Sequence, residues 1–157
     1  MSTTTSTARQ PGVSVGNWKA GVVSGVAGAL AMGALVAAMN LPTVAVAIPS
    51  LYTLAPPPSP GVGLVVHVSH GAVLGVVYAG LAGAFGLDSP RKRLGLGLVW
   101  GVVTWVGLAA LLMPLWLSAV GSPASPPFPN FAIPSLLWHV VYGLVLGGAY
   151  VATGDRL

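Results

Sequence analysis

The sequence predicts an all-α membrane protein whose four transmembrane helices form two tandem helical hairpins, related by a pseudo-two-fold axis along the membrane normal. Three observations predict it: a near absence of charge, four apolar stretches of bilayer length, and an internal repeat. Only 5% of the 157 residues are charged while 55% are apolar. Soluble domains are about 25% charged, so this chain cannot furnish a water-facing surface. The lipid bilayer is its expected solvent and first partner.

Residues 1–17 are Ser/Thr-rich, carry no apolar block and read as a disordered cytoplasmic tail. The first apolar stretch covers residues 18–41. It is too long for a signal-peptide core and lacks a convincing cleavage site, so it is expected to stay as a span. The others cover 61–87, 94–117 and 135–152, giving a transmembrane domain over 18–152 and a cytoplasmic tail over 153–157. Each stretch approaches or exceeds the roughly 20 residues that cross a hydrocarbon core about 30 Å thick. Unbroken apolar runs of this length favour helices over barrel strands, which alternate every second residue.

Charge sets the orientation. Arg9 and Lys19 precede the first span, Arg91, Lys92 and Arg93 lie between the second and third, and Arg156 follows the fourth. The other two connections, 42–60 and 118–134, hold no charge of either sign. The positive-inside rule therefore places both termini in the cytoplasm, with Arg91, Lys92 and Arg93 as the topology-setting group, in the cell membrane. The two outer connections are rich in proline yet largely apolar. Proline resists helix, and an uncharged apolar loop is expected on the membrane surface or across the mouth of the bundle. The first span of each hairpin could also run past its proline as a kinked helix.

The repeat has an offset of 72 residues, the distance from His67 to His139. "HVSHGAVLGVVYA" from His67 lies over "HVVYGLVLGGAYV" from His139, which also pairs Gly71 with Gly143, Gly75 with Gly147 and Tyr78 with Tyr150. Without a gap the same offset pairs Gly25 with Gly97 and Pro42 with Pro114, giving units over about 19–80 and 91–152. Composition explains matches of Val and Ala. It does not explain matches of His, Tyr and Pro at one constant offset. Each unit holds two spans, so both copies insert in the same sense and their axis runs along the membrane normal.

Small residues recur at helical spacing. Gly21, Gly25, Ala29 and Gly33 form one stripe, and Gly71/Gly75, Gly97/Gly101 and Gly143/Gly147 repeat the interval. Such stripes let helix backbones approach where lipid is as apolar as the side chains. A pore lined by glycine backbone is the functional alternative, and tight packing is the simpler expectation.

Within the spans the ionisable suspects are His67, His70 and His139. His67, His70, Gly71 and Tyr78 share one helical face, and His139, Tyr142, Gly143 and Tyr150 share its counterpart. Three readings stay open. The imidazoles hold structural hydrogen bonds to Tyr, carbonyl or water; or His67 and His139 ligate a haem or metal, with His70 and Tyr142 around them; or the set serves a proton or ion path. No Asp or Glu lies within a span to relay a proton, which weakens the third. Tyr78 and Tyr150 need hydroxyl partners, for which Ser24 and Thr104 are the candidates on neighbouring spans.

Several function classes drop out. Six Lys/Arg residues, three of them in one loop, cannot make a face for nucleic acid. Cysteine is absent, which removes thiolate metal sites and cysteine nucleophiles. No serine elbow, phosphate loop, dinucleotide fingerprint or zincin motif occurs. The expectation is a membrane protein without catalytic activity or obligatory cofactor. Small and without soluble mass, it would be an accessory or assembly subunit of a membrane complex or a homo-oligomer; a haem- or metal-binding redox protein is the alternative, and a small transporter or channel a weaker one.

"VHVSHGAVLGVVYAGL" and "LLWHVVYGLVLGGAYVATG", with prolines ending spans one and three and the Pro-rich outer loops, resemble a family of small four-helix membrane proteins of unknown function, frequent in halophilic archaea. The resemblance covers about residues 20–151. It implies fold and membrane setting and brings no mechanism. The histidine-kinase label that some members carry finds no support, since this chain has no ATP-binding domain and no room for one.

Overall fold

The structure is a computed structural model and describes residues 16–157. Residues 1–15, including Arg9 and most of the expected tail, lie outside the described residues. The described residues contain helices and no strands. Helix α1 spans Trp18–Met39, followed by a π-helical segment π1 (Thr43–Ala47) and a short turn α2 (Ile48–Ser50). Helix α3 spans Pro60–Ala84, and α4 (Pro90–Thr104) runs through π2 (Trp105–Leu112) into α5 (Met113–Ala119). Helix α6 spans Ile133–Thr153. Four of these bodies are long and apolar enough to cross a membrane: Trp18–Met39, Pro60–Ala84, Pro90–Ala119 and Ile133–Thr153. They match the four stretches read from sequence, each boundary shifting by a few residues.

The helix starts reflect local chemistry. Asn17 accepts from the Ala20 N–H, Ser59 from that of Val62 and Ser89 from that of Lys92, so three starts carry a side-chain cap. Pro60 and Pro90 come directly after their caps, at positions where no helical N–H is needed. Asn17, expected in the tail, is instead tied into the fold. Its N–H donates to the Tyr150 hydroxyl at 3.1 Å and its side-chain amide to the Gly154 carbonyl at 3.1 Å.

The third span runs through Pro114 as one continuous helical body, Pro90–Ala119, whereas the first ends at Met39, ahead of Pro42. The chain breaks at Asn40, whose carbonyl and side chain receive the Thr43 N–H, and then re-forms helix. The third span does not break but widens into π2 before Pro114. A proline has no N–H for the carbonyl four residues back. Ala45 and Ala110 stand in that relation to Pro49 and Pro114, and their carbonyls receive N–H groups from the loops instead, from Ser59 at 2.8 Å and Asn130 at 2.9 Å. The Pro-rich connections are thereby pinned to the ends of the helices.

Packing is organised by glycine. Helix α1 lies on α3, and α4 on α6. A Cβ on Gly21 would stand 2.6 Å from the Gly75 carbonyl oxygen, and one on Gly71 would stand 2.9 Å from that of Gly25. In the second hairpin a Cβ on Gly97 would fall against the Gly143 oxygen and 3.2 Å from the Gly147 Cα. The Gly25–Gly71 and Gly97–Gly143 contacts stand 72 residues apart in sequence, whereas Gly21 has Arg93 at that offset. Between hairpins the equivalence lapses. Helix α1 packs along α6, with the Tyr142 carbonyl 2.8 Å from where a Gly28 Cβ would be, while α3 and α4 touch only slightly. The lateral order is therefore α3, α1, α6, α4.

Gly75 and Gly80 lie on the same helix with opposite surroundings, since a Cβ on Gly80 would meet nothing within 4 Å. Gly75→Ala is expected to force α1 and α3 apart and destabilise the protein by about 1–3 kcal/mol. Gly80→Ala should be neutral or stabilising by up to about 1 kcal/mol. Denaturation of the detergent-solubilised protein, followed by tryptophan fluorescence, measures both.

Candidate functional site

The chain has three histidines, and all three line one cavity. It lies at the end of the bundle away from the described termini, enclosed by α1, α3, π2–α5 and α6, with a volume of about 700 Å³. That is within the range of roughly 300–1,000 Å³ common to small-molecule sites. Most of its wall is apolar, from Met32, Val36, Leu74, Leu108, Leu112 and Trp138 among others. Among the described residues no Lys, Arg, Asp or Glu lines it.

Each histidine is placed differently. His139 sits one turn beyond Ser135 on α6, and its Nδ1 lies 2.7 Å from the Ser135 carbonyl oxygen. A carbonyl can only accept, so Nδ1 carries the proton, and in the neutral ring Nε2 is left with a lone pair. His67 lies on α3 where Gly33 of α1 makes room for it. A Cβ on Gly33 would come within 3.2 Å of the imidazole Cδ2. Its Nε2 is buried and has no hydrogen-bond partner among the described residues. His70, one turn on, shares a 2.7 Å hydrogen bond between its Nε2 and the Tyr52 hydroxyl.

Tyr142, the repeat counterpart of His70, forms the floor. Its buried hydroxyl donates to the Gly71 carbonyl at 3.1 Å, tying α6 to α3. The roof is the first Pro-rich connection, residues 42–60. Trp116 of α5 donates its indole N–H to the Leu51 carbonyl at 2.9 Å, and Tyr52 reaches His70 beside it. The loop therefore does lie across the mouth. Sequence reasoning does not single out Tyr52, Trp116 and Trp138. Aromatic residues in or beside the Pro-rich connections are the available signal, since amphipathic rings favour helix ends of this kind.

The expected partners of Tyr78 and Tyr150 are corrected. Tyr78 donates to the Arg93 carbonyl and Tyr150 accepts from the Asn17 N–H. Ser24 pairs with Thr153 at 3.3 Å, and Thr104 turns back to the Trp100 and Gly101 carbonyls of its own helix. The two tyrosine rings meet edge to face, 5.4 Å apart, so the hydroxyls are free to reach backbone at the helix ends.

Around them lies a polar latch. The Arg93 guanidinium donates to both carboxylate oxygens of Asp155 at 3.2 and 3.0 Å and to the Leu87 carbonyl at 3.0 Å, and stands 5.5 Å over the Tyr150 ring. Arg91 and Lys92 are exposed, so the basic triplet divides: two solvent-facing charges and one structural arginine.

Two imidazoles facing one cavity raise the question of metal. Among the described residues no group of three or more His, Cys, Asp or Glu could hold a metal ion. The donor set suits only a metal that brings its own equatorial ligands, as a porphyrin does. The Ser135 carbonyl behind His139 is the kind of support that orients a ligating imidazole. No family model, curated protein or solved structure matches this chain. The resemblance to the archaeal family rests on its short motifs alone.

The hydrogen bonds from Arg93 and its nearby charge hold the Asp155 carboxyl below its usual pKa. A carboxylate with a depressed folded-state pKa adds stability above its unfolded value, and that stability is lost as pH falls through the folded one. Acidification through the carboxylate range should therefore lower the melting temperature of wild type more than that of Asp155→Asn. Thermal unfolding in detergent across that range checks it.

Proposed function

We propose that this chain is a multi-pass protein of the cell membrane, both termini cytoplasmic, acting without catalysis as a subunit that holds a small apolar ligand. The observation that carries the reading is the cavity onto which all three histidines converge. It combines an apolar wall with a few convergent polar atoms, the usual make-up of a small-molecule site. An accessory or assembly role, in a larger membrane complex or a homo-oligomer, suits a chain with so little mass outside its long helices. The glycine stripes do not argue for partners, because both hairpins use them internally. Gly80, Gly95 and Gly107 remain as small outward positions.

A second reading, haem held between His67 and His139, is favoured by the Ser135 support of His139. The lining weighs against it, since no Lys or Arg among the described residues stands in the cavity wall to meet propionates.

Three measurements test these readings. Solvent extraction of protein purified from its native membrane should yield a stoichiometric small molecule, lost in the cavity-filling variant Ala109→Phe. Wild-type protein that yields none would count against the ligand reading. A Soret band lost in both His67→Ala and His139→Ala but kept in His70→Phe would establish haem; colourless protein would dismiss it. A C-terminal reporter should report the cytoplasm, and Arg91→Gln with Lys92→Gln should disturb orientation while leaving the Arg93 latch in place.

A further inference from the structure

The cavity is closed above and open to one side. Leu51 and Tyr52 cap it, through the Trp116 and His70 hydrogen bonds. Its back wall is α1 packed along α6, where Met32, Val36 and Trp138 are buried. Between α3 and π2 there is little contact. Val73 of α3 and Leu112 of π2 both line the cavity, yet they are 63% and 54% exposed, so the gap between them opens outward. Val73 stands near the middle of α3, a helix long and apolar enough to cross a bilayer. In a spanning helix that depth is hydrocarbon, away from headgroups and water.

The polar atoms of the wall do not select a ligand. Ser135 and Thr43 bring hydroxyls that can donate or accept, and the His139 Nε2 accepts while Nδ1 serves the Ser135 carbonyl. The His67 Nε2 is buried out of reach. Tyr142, Tyr52 and Thr104 are committed to Gly71, His70 and their own helix. What the wall does select is an uncharged, apolar occupant. No Lys, Arg, Asp or Glu among the described residues stands there, so a charged headgroup would leave water without gaining a partner. A hydrocarbon chain needs none. Left empty, a space of about 700 Å³ deprives its walls of dispersion contacts on one side. At the depth of the opening, the molecules at hand are lipid tails.

We propose that a hydrocarbon tail of a neighbouring membrane lipid occupies the cavity, entering between α3 and π2 while its headgroup stays outside. The proposal rests on the membrane and ligand-holding readings above, and it makes the bilayer itself the source of the ligand. On entry the tail exchanges one apolar surrounding for another, so occupancy requires no polar contact.

Trp138 reads the occupant, because it lines the cavity and is only 7% exposed. The full chain carrying Trp18→Phe, Trp100→Phe, Trp105→Phe and Trp116→Phe is reconstituted into phosphatidylcholine vesicles whose tails are either plain or brominated at mid-chain. Bromine quenches indole on close approach, so Trp138 should lose emission in the brominated vesicles, and adding Ala109→Phe should restore it. Should the four replacements unfold the chain, the difference in quenching between wild type and Trp138→Phe reads the same residue. Leu30→Trp, with Trp138→Phe, puts an indole at a 55% exposed position of α1 and controls for insertion. If that indole is not quenched, the membrane reading falls and the proposal with it. If it is quenched and Trp138 is not, no tail enters and the proposal alone falls. Quenching of Trp138 that survives Ala109→Phe arises outside the cavity and overturns the proposal as well. A small molecule recovered by solvent extraction, with Trp138 unquenched, would leave the ligand-holding reading standing without a lipid tail.

Discussion

Everything in this molecule depends on how closely two helix backbones approach at glycine. Where lipid replaces water, burying a leucine against a leucine gains little, because the hydrocarbon outside is as good a neighbour. What remains is packing density and backbone contact. Gly25 with Gly71 and Gly75, and Gly97 with Gly143 and Gly147, bring carbonyl oxygens to within contact of a facing Cα. Ala20, Ala29, Ala79, Ala82 and Ala110 sit inside beside larger side chains such as Tyr78, Leu117 and Leu146, while Val65, Val73, Val99 and Leu137 face out.

Two hairpins built alike need not meet alike. Gly28 lets α1 close on the Tyr142 backbone of α6, but nothing comparable joins α3 to α4. The bundle is closed along one seam and left open along the other, and the cavity is the consequence. The break at Asn40 and the π turn ahead of Pro114 widen the same end. A π segment enlarges the helix radius and shifts the register of the residues beyond it, which is why such insertions favour ligand-binding regions. The far end is held shut by Arg93, Asp155, Tyr78, Tyr150 and Asn17. One end is rigidly latched and the other is hollow.

The legible part of this design is whatever rests on local pattern. Length and hydropathy locate all four long helices. The histidines stand out because imidazole is rare in such segments, and they do line a single cavity. Long-range pairing is less accessible. Ser24 and Thr104 are reasonable partners for Tyr78 and Tyr150 by depth, yet depth does not reveal that the tyrosines reach backbone at the helix ends. The basic triplet looks uniform because the positive-inside rule counts charge and is blind to a guanidinium turning inward. The difference between the α1–α6 and α3–α4 seams is also invisible in a repeat, since a repeat specifies units and not the contact between them.

That asymmetry bears on why the histidines are there. As structural struts they should spend their hydrogen bonds within the bundle, and only part of the set does so. His70 is occupied by Tyr52, and His139 is anchored on one nitrogen and free on the other. His67 occupies space that Gly33 clears for it, while its Nε2 finds no protein partner. A buried polar atom left unmet costs about 1–3 kcal/mol. A leucine there would fill the same wall without that penalty. His67 alone carries that expense, and the His139 ring, anchored on one nitrogen beside a space large enough for a ligand, is what supports the proposed ligand-holding reading.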